Sequence, residues 1–374
     1  MEKLKTALIG CGKVSHLHAA ALARVKESEF TAVWSRTFQR AQTFAKQYNT
    51  IAYPDIKEMI TEAGIKAVFI CTPHPYHAEP AVAAMQAGAH VLVEKPLASS
   101  LSDCDAILKT AKETGVKLGM ISQRRLYQPC QRIRDAIDKG KIGKPIIGTV
   151  KMLGWRDKAY YDSDAWRGTW KNEGGGVLVN QAPHQIDLLQ WFMGPVAELF
   201  GYWDNLNHPY IEVEDTALAV IRFENGSIGN IVVSNSQNPA LYGKVHIHGS
   251  NGASIGVQTD GGAMFIPGIS SINEPPLNDL WTIPGEENML ETWKKEDTEF
   301  FNNINPMEYY HQIQIQDFLQ AILDERDPLI TGEEGRKTVE IFTAIYRSQR
   351  DRQPVQFPLK PETGRDDLDG RLKF

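Results

Sequence analysis

Short apolar segments alternate with helix-forming segments along the first third of the chain, and this alternation limits the possible folds more than any other feature. The predicted strands are Lys5–Gly10, Phe30–Trp34, Ala67–Cys71, His90–Val93 and Lys117–Ser122. Strands that each feed a helix, repeated in this way, predict a doubly wound parallel sheet in an α/β protein. Such sheets bind their ligands at the carboxyl ends of the strands.

A glycine turn follows the first strand. Gly10 and Gly12 precede Lys13, Val14 and an alanine-rich helical segment. In this context the amides of the turn and the helix N-terminus receive the pyrophosphate of a dinucleotide. The third position of the fingerprint is Ser15 instead of glycine, so an ordinary βα turn is the alternative. We predict a Rossmann domain that binds a dinucleotide.

The end of the second strand is where an acidic residue would bind the adenosine ribose, and the chain has Ser35 and Arg36 there. Neither residue would repel a 2′-phosphate. Arg36 suits either a phosphate contact or stacking on adenine. The local residues therefore permit NADP without excluding NAD.

Two further loops lie at the carboxyl edge of the predicted sheet. One is Thr72–His77, and the other contains Glu94, Lys95 and Pro96. Pro96 ends an apolar run and leaves Lys95 at the end of a buried parallel strand. A surface lysine in a βα loop is the alternative. Because the carboxyl ends of parallel strands share one edge, we expect both loops to face the same crevice as the glycine turn.

The pattern changes after residue 123 to the alternation that is typical of half-buried strands, with Asn-Gly pairs at tight hairpins. We predict an α+β domain over residues 125–357 with a large, mostly antiparallel, open-faced sheet, after a Rossmann domain over 1–124 and before a tail over 358–374. The predicted strands are Ile146–Gly154, Ala197–Trp203, Asp215–Phe223, Ser227–Asn235, Lys244–His248 and Ala253–Gln258.

Two segments of the second domain carry candidate site residues. A helix predicted from Gln181 to Met193 tolerates Pro183 in its first turn and aligns His184 and Asp187 on one face. A capped or solvated histidine is the alternative. The other segment, residues 155–170, is dense in aromatic residues and arginines, which suits a sugar ring but also occurs in interdomain loops. Its candidate residues are Arg156, Tyr160 and Arg167.

These motifs, taken together and in this order, resemble the glucose–fructose oxidoreductase/inositol dehydrogenase/rhizopine-catabolism (Gfo/Idh/MocA) family. The family's Thr-Pro-x-x-x-His loop matches Thr72, Pro73 and His77, its Glu-Lys-Pro motif matches residues 94–96, and its second-domain signature matches residues 174–187. Within the family, the chain is most similar to bacterial dehydrogenases of inositols and pyranose sugars.

The resemblance implies an oxidoreductase that transfers a hydride from a ring secondary alcohol of an inositol, pyranose sugar or glycoside to a nicotinamide cofactor. NAD is the expected cofactor because the sugar-oxidising relatives mostly use it, with Arg36 stacking on adenine. The resemblance also implies a homo-oligomer, a dimer or tetramer that assembles through the open sheet face. A redox-neutral glycosidase or epimerase with captive NAD and a sugar-sensing regulator without turnover are the alternatives.

The resemblance further implies a catalytic set of Lys95, His184 and a polar partner at position 180. That partner is usually aspartate but is Asn180 here, so we expect Asp187 to serve the proton pathway. Histidine suits the base and a fixed ammonium stabilises an alkoxide. The residues expected to bind the cofactor are Gly10, Gly12, Lys13, Val14, Ser35, Arg36, Thr72, Pro73, His77, Glu94, Lys95, Gln123, Trp166 and Arg167. Those expected to bind the substrate are Lys95, Arg156, Tyr160, Asn180 and His184.

Composition argues against several other classes. A net charge of -6 gives no general attraction to nucleic acid. The four cysteines form no close pair, which suits a reducing compartment, and no export signal or membrane span is visible, so we expect a cytoplasmic protein. His246 and His248 alternate on one strand, but no third ligand stands at a suitable spacing, so we expect no metal.

The tail over residues 358–374 has a composition that predicts disorder. Its apolar end, Leu372 to Phe374, suggests the alternative that the tail crosses to a neighbouring subunit. In that case Arg365 or Arg371 would reach the sugar site of that subunit.

Overall fold

The computed structural model describes residues 3–259, 274–363, 367 and 369–371. No helix in these ranges is long and apolar enough to cross a membrane. In chain order the elements are β1 (Leu4–Ile9), α1 (Lys13–Arg24), β2 (Ser28–Trp34), α2 (Phe38–Tyr48), β3 (Ile51–Tyr53), α3 (Ile56–Ala63), β4 (Ala67–Ile70), α4 (Ala78–Gln86), β5 (His90–Val93), α5 (Leu101–Thr114), β6 (Leu118–Met120), α6 (Gln128–Asp138), β7 (Pro145–Leu153), α7 (Lys158–Asp162), α8 (Pro183–Met193), β8 (Val196–Asp204), β9 (Thr216–Phe223), β10 (Ile228–Ser234), β11 (Lys244–Gly249), β12 (Ser254–Gln258), β13 (Leu277–Trp281), α9 (Met289–Asn302), α10 (Pro306–Leu323), α11 (Gly332–Asp351) and β14 (Val355–Gln356).

The chain divides into two compact units. The first comprises Met1–Gln123 and Pro306–Arg336, and the second comprises Arg124–Asn305 and Lys337–Phe374. The sequence analysis placed residues 306–336 in the second domain, whereas their contacts group them with the first unit.

The first unit contains a six-stranded sheet in the order β3-β2-β1-β4-β5-β6, in which every neighbouring pair is parallel. This confirms the doubly wound parallel sheet. All four residues of β4 are apolar and buried, as a strand between two layers of helices requires. Strand β3 was not predicted from the sequence. It lies at the edge of the sheet and has only three residues, none of them buried.

Helix α10 completes the core of the first unit. Ile315, Phe318 and Leu319 are buried in the same apolar cluster as Leu22 of α1 and Phe69 of β4. The rings of Phe69 and Phe318 meet edge to face at 6.2 Å. Truncating a buried phenylalanine to alanine typically costs about 3–5 kcal/mol, so the first unit depends on this late segment of the chain.

The second unit contains an eight-stranded sheet in the order β13-β12-β11-β7-β10-β9-β8-β14. Its pairs are antiparallel except for β7 and β10, which run parallel. This confirms the mostly antiparallel sheet. The predicted hairpins are also present, with Gly226 and Gly252 at φ +85° and +89° between their strands. Strands β13 and β14 were not predicted.

Helices cover one face of this sheet. The side chain of Met193 on α8 lies so close to β7 that a Cβ atom on Gly148 would be 2.6 Å from its Cγ. Side chains of the other face remain exposed or half-buried, and cross-strand neighbours such as Tyr202 and Leu218 or Phe200 and Val220 stand side by side. We call this surface the open face; its apolar side chains are Ile147, Phe200, Tyr202, Leu218, Val220 and Ile228.

The described part of the C-terminal tail lies along α11 of its own chain. Arg347 binds Asp369 at 2.5 Å, and Arg350 binds Glu362 at 2.6 Å. Arg371 is 3% exposed and its guanidinium lies 5.3 Å from the centre of the Tyr346 ring. The expected disorder is therefore wrong for these residues, and Arg371 is not available to a neighbouring subunit. Arg365 and residues 372–374 lie outside the described residues.

Candidate active site

The glycine turn lies between β1 and α1 in the first unit. Gly10 has φ +106°, and a Cβ atom there would lie 2.7 Å from the carbonyl carbon and oxygen of Cys71, after β4. Gly12 caps α1, and its N–H donates to Ser15 Oγ at 3.1 Å. A Cβ atom on Gly12 would meet nothing within 4 Å, so the turn is open to an approaching phosphate. Ser15, which replaces the third glycine of the fingerprint, thus stabilises the first turn of the helix through its side chain.

The residues after β2 lie beside the Thr72–His77 loop. The Arg36 guanidinium lies 5.3 Å from the centre of the Tyr76 ring. Within the loop, Thr72 donates to the Tyr76 carbonyl at 2.7 Å, which fixes the turn that follows Pro73. Arg36 thus lies over an aromatic side chain, the arrangement in which a guanidinium also stacks on a flat base.

His77 was expected to bind the cofactor, and the structure places its side chain inside the protein. The side chain is completely buried, with Nδ1 at 2.9 Å from the Pro96 carbonyl oxygen and Nε2 at 2.8 Å from that of Thr72. Burial lowers the pKa of His77, although the two carbonyl groups oppose that shift. Because each ring nitrogen lies within hydrogen-bonding distance of a carbonyl group from a different loop, His77 connects the two loops.

Glu94 was also expected to bind the cofactor, and its carboxylate is buried beneath the loop. Oε1 lies 2.7 Å from His18 Nε2 and 3.6 Å from His311 Nε2, while Oε2 accepts the Lys95 N–H at 3.1 Å. Burial raises the pKa of Glu94, but the two histidines outweigh it and hold this pKa well below its usual range. Glu94 therefore anchors the backbone of Lys95. The sequence analysis missed the roles of His18 and His311, which only the fold brings together.

Lys95 follows β5 at the carboxyl edge of the sheet, as predicted. It is half-buried between buried neighbours. Gln123 is the last residue of the first of the two segments that form this unit. Its side-chain oxygen Oε1 is buried and has no hydrogen-bond partner in the described part of the chain. A buried unpaired acceptor of this kind suits the amide of a nicotinamide. Lys13 and Val14 form the first turn of α1.

In the second unit, His184 lies in the first turn of α8 and is 6% exposed. The predicted helix began at Gln181, whereas α8 begins at Pro183, which lies in the first turn as predicted. A π-helical segment, Val177–Gln181, precedes α8 and carries Asn180. The Asn180 amide donates to the Tyr160 hydroxyl at 3.3 Å and to Glu173 Oε1 at 2.5 Å.

Tyr160 is the centre of an arginine-rich cluster. The guanidinium groups of Arg167 and Arg156 lie 4.2 and 5.2 Å from the centre of its ring, and Arg167 also lies 4.5 Å from that of Trp166. The Tyr160 hydroxyl accepts hydrogen bonds from Arg167 at 2.5 Å and Gln181 at 2.9 Å. The structure thus brings three of the expected substrate-binding residues together. Trp166 and Arg167, which were expected to bind the cofactor, belong to this same cluster.

Asp187 was expected to serve the proton pathway, and the structure places it in a buried ion pair. Its carboxylate accepts two hydrogen bonds from the Arg125 guanidinium, at 2.7 and 2.6 Å, and is 1% exposed. A bidentate ion pair of this kind fixes the orientation of the carboxylate. Asp187 therefore anchors α8, a role that sequence spacing could not reveal because Arg125 lies far away in the chain.

A second buried glutamate holds the π-helical segment. Glu214 accepts the N–H groups of Gly176 and Leu178 at 2.9 and 3.0 Å and the Tyr346 hydroxyl at 2.9 Å. A Cβ atom on Gly176 would lie 1.8 Å from the Glu214 carbonyl oxygen, so only glycine allows this approach. Burial raises the pKa of Glu214 to about 7, against these three donors.

The remaining histidines of interest have partners in the protein. His208 lies 2.7 Å from Asp215 through Nδ1 and 2.7 Å from the Arg156 carbonyl oxygen through Nε2, which fixes the backbone at Arg156. His246 lies 3.0 Å from Asp279, and His248 lies 2.8 Å from Ser254.

Two family models together match most of the chain. The oxidoreductase family model for the NAD-binding Rossmann fold matches residues 4–122, and the model for the C-terminal alpha/beta domain of the same family matches residues 134–357. The chain belongs to the Gfo/Idh/MocA oxidoreductase family. The Rossmann unit of this Gfo/Idh/MocA oxidoreductase is therefore its NAD-binding unit.

Three known proteins illustrate the similarity. The myo-inositol 2-dehydrogenase of Thermotoga maritima is 28% identical over 257 residues, which are 67% of this chain and 74% of that protein. The scyllo-inositol 2-dehydrogenase (NAD(+)) of Bacillus subtilis is 25% identical over 370 residues, which are 96% of this chain and 98% of that protein. The WlbA dehydrogenase from Bordetella pertussis, solved in complex with NADH and UDP-GlcNAcA, superposes with a TM-score of 0.84 at 28% identity, covering 96% of this chain and 99% of that one.

The substitution Glu214→Gln is predicted to flatten the pH dependence of stability. Because the pKa of this acid is raised from 4.5 to about 7 in the folded protein, the folded state keeps a proton that the unfolded chain has already released. Its stabilising contribution is complete below pH 4.5 and is lost as the pH rises through about 7. We expect the wild type to lose up to about 3 kcal/mol more over this range than the variant.

Chemical denaturation at constant ionic strength measures this difference. The exposed Glu224→Gln variant is the control and should follow the wild type. Identical pH profiles for Glu214→Gln and the wild type would contradict titration of Glu214 in this range.

The cofactor preference tests the position of Arg36. If Arg36 stacks on adenine, Arg36→Ala should weaken the binding of NAD and of NADP by the same factor, about 3- to 10-fold. The wild type should then have a higher kcat/KM with NAD than with NADP. A contact with a 2′-phosphate would instead make the loss specific to NADP. A wild-type preference for NADP that disappears in Arg36→Ala would contradict the stacking role.

Proposed function

We propose that this protein is a dehydrogenase that transfers a hydride from a ring secondary alcohol of an inositol, pyranose sugar or glycoside to NAD. The observation that carries the proposal is the arginine-rich cluster on Tyr160, next to Asn180 in the unit that also holds His184. Aromatic faces with several fixed donors suit a ring that carries many hydroxyl groups. The names of the two inositol dehydrogenases and the sugar ligand of the WlbA complex support this substrate class.

We assign the catalytic roles as the family resemblance implies. His184 removes the proton of the substrate hydroxyl, since an imidazole is the side chain that titrates near neutral pH. The Lys95 ammonium stabilises the negative charge that develops on that oxygen. When bound, NAD accepts the hydride. Asn180 orients the hydroxyl or the His184 ring, while Arg156, Tyr160 and Arg167 bind the rest of the substrate.

Accumulation of NADH distinguishes this proposal from the two alternatives, a redox-neutral enzyme and a sugar-sensing regulator. A redox-neutral enzyme with captive NAD would convert its substrate without accumulating NADH, and a regulator would bind sugar without turnover. Inositols, hexoses, glycosides and sugar acids, free or as UDP conjugates, should be tested with NAD by absorbance of the reduced nicotinamide. We expect NADH to accumulate with at least one of these classes.

We also propose a homo-oligomer, a dimer or tetramer, that assembles through the open face. Tyr202 and Val220 are 64% and 63% exposed on this face, and monomeric proteins rarely expose a contiguous apolar patch of this kind. A second copy of the same sheet would cover these side chains symmetrically. We place the protein in the cytoplasm, because its four cysteines are all free thiols, three of them buried.

Lys95→Ala and His184→Ala are each predicted to lower kcat by at least about 100-fold, because electrostatic and general-base contributions are of this size. NAD affinity, measured by calorimetry, should change by no more than about threefold, since most of the binding contacts lie in the glycine turn. Lys117→Ala is the matched control, because Lys117 is also in the first unit and pairs with Asp327. Turnover near the wild-type rate in either variant would contradict the assigned role.

The double variant Leu218→Lys/Val220→Glu should dissociate the oligomer, because it buries two charges in the contact between subunits. Light scattering on a sizing column measures the mass before and after the change. Arg222→Lys, on the same strand face but without a change of charge, should leave the mass unchanged. A double variant with the wild-type mass would rule out assembly through the open face.

A further inference from the structure

Glu173 is a buried carboxylate that none of the functions above uses. It directly precedes the glycine run at residues 174–176 and is 1% exposed. Oε2 accepts the Gly168 N–H at 2.5 Å, and Oε1 accepts the side-chain amide of Asn180 at 2.5 Å. Both contacts come from N–H donors at short distance, which is the pattern of an ionised carboxylate that acts as acceptor only.

The contact with Glu173 fixes which end of the Asn180 amide faces it. Two oxygens at 2.5 Å would repel, so the Asn180 NH₂ group must point to the carboxylate. The same NH₂ group also donates to the Tyr160 hydroxyl. The opposite end of the Asn180 amide is its carbonyl oxygen, which can only accept a hydrogen bond, such as that of a substrate hydroxyl or of a histidine ring N–H.

We propose that Glu173 and Asn180 together perform the task of a single active-site carboxylate: Glu173 holds the negative charge, and Asn180 presents the acceptor oxygen. Glu173 is thus a positioning residue that acts through Asn180, and its charge stabilises His184 when that ring is protonated. The inference rests on the proposed role of His184 as the base. It also explains how an amide can occupy position 180 while the site keeps a charge of the sign that an imidazolium needs.

The substitution Glu173→Gln removes the charge and keeps the size of the side chain. Without the carboxylate, the protonated form of His184 loses stabilisation, so the pKa of His184 falls. The acid limb of the pH profile of kcat/KM, where activity falls as His184 becomes protonated, then moves to lower pH by the same amount. We expect kcat to fall about tenfold or more, because the Asn180 amide is no longer held in one orientation.

Moving the carboxylate from position 173 to position 180 tests whether Glu173 supplies the charge and Asn180 the acceptor oxygen. Asn180→Asp in the Glu173→Gln background returns a carboxylate to the site and should restore both kcat and the position of the acid limb. Asn180→Asp alone places two carboxylates in contact, so the pair must retain a proton and activity should fall. Glu212→Gln is the matched control, since Glu212 accepts the Trp170 N–H in the same region at 3.2 Å; its acid limb should stay in place.

A readout without turnover separates this inference from the proposed function. The chain has 10 histidines, and the ring signals of His184 in an NMR titration are identified by their absence in His184→Asn. A wild type that oxidises none of the tested alcohols would count against the proposed function only, because the titration of His184 would still report on Glu173.

Two results would overturn the inference. One is an unchanged His184 titration in Glu173→Gln. The other is a double variant that folds but recovers neither kcat nor the acid limb. Should Glu173→Gln fail to fold, Glu173→Asp keeps the charge on a shorter side chain. It should then retain the His184 pKa while lowering kcat, and a lowered His184 pKa in that variant would equally overturn the inference.

Discussion

The buried carboxylate of Glu94 is the interaction on which the first unit depends. It joins three elements that are distant in the sequence: α1 through His18, α10 through His311, and the end of β5 through the Lys95 amide. A buried charge of this kind is tolerated only when donors surround it. The position of Lys95 is therefore determined by the same contacts that attach α10 to the sheet.

The second unit uses buried carboxylates in the same way. Glu214 holds the backbone of the π-helical segment, Glu173 holds the Asn180 side chain, and Asp187 ties α8 to Arg125. Each of the two glutamates lies against a glycine that could not be replaced without a clash or a strained backbone: a Cβ atom would be 1.8 Å from a carbonyl oxygen at Gly176, and φ is +76° at Gly168. Rigid polar contacts, more than apolar packing, thus determine where the candidate catalytic side chains stand.

The sequence predicted those parts of the fold that depend on local pattern. Five of the six strands of the first 122 residues, the hairpin glycines and the place of Pro183 in the first turn of α8 all follow from apolar periodicity and turn chemistry. The sequence could not show that α10 joins the first unit or that β7 and β10 run parallel, because both depend on which distant segments meet. The same reason explains what the sequence could not show of the site. Nothing in the spacing links Asp187 to Arg125, or places Glu173 against Asn180.

The late position of α10 has a consequence for how the chain is made. Residues 1–123 leave the ribosome first, yet the core of their unit includes Ile315, Phe318 and Leu319. Until those residues emerge, the apolar surface of α1 and β4 lacks its cover, and the whole second-unit segment 124–305 is synthesised in the meantime. Domains that are continuous in sequence fold in order from the N-terminus during synthesis. Here the nucleotide-binding unit is begun before residues 124–305 and completed only after them, so a chain that stops before α10 lacks part of this core.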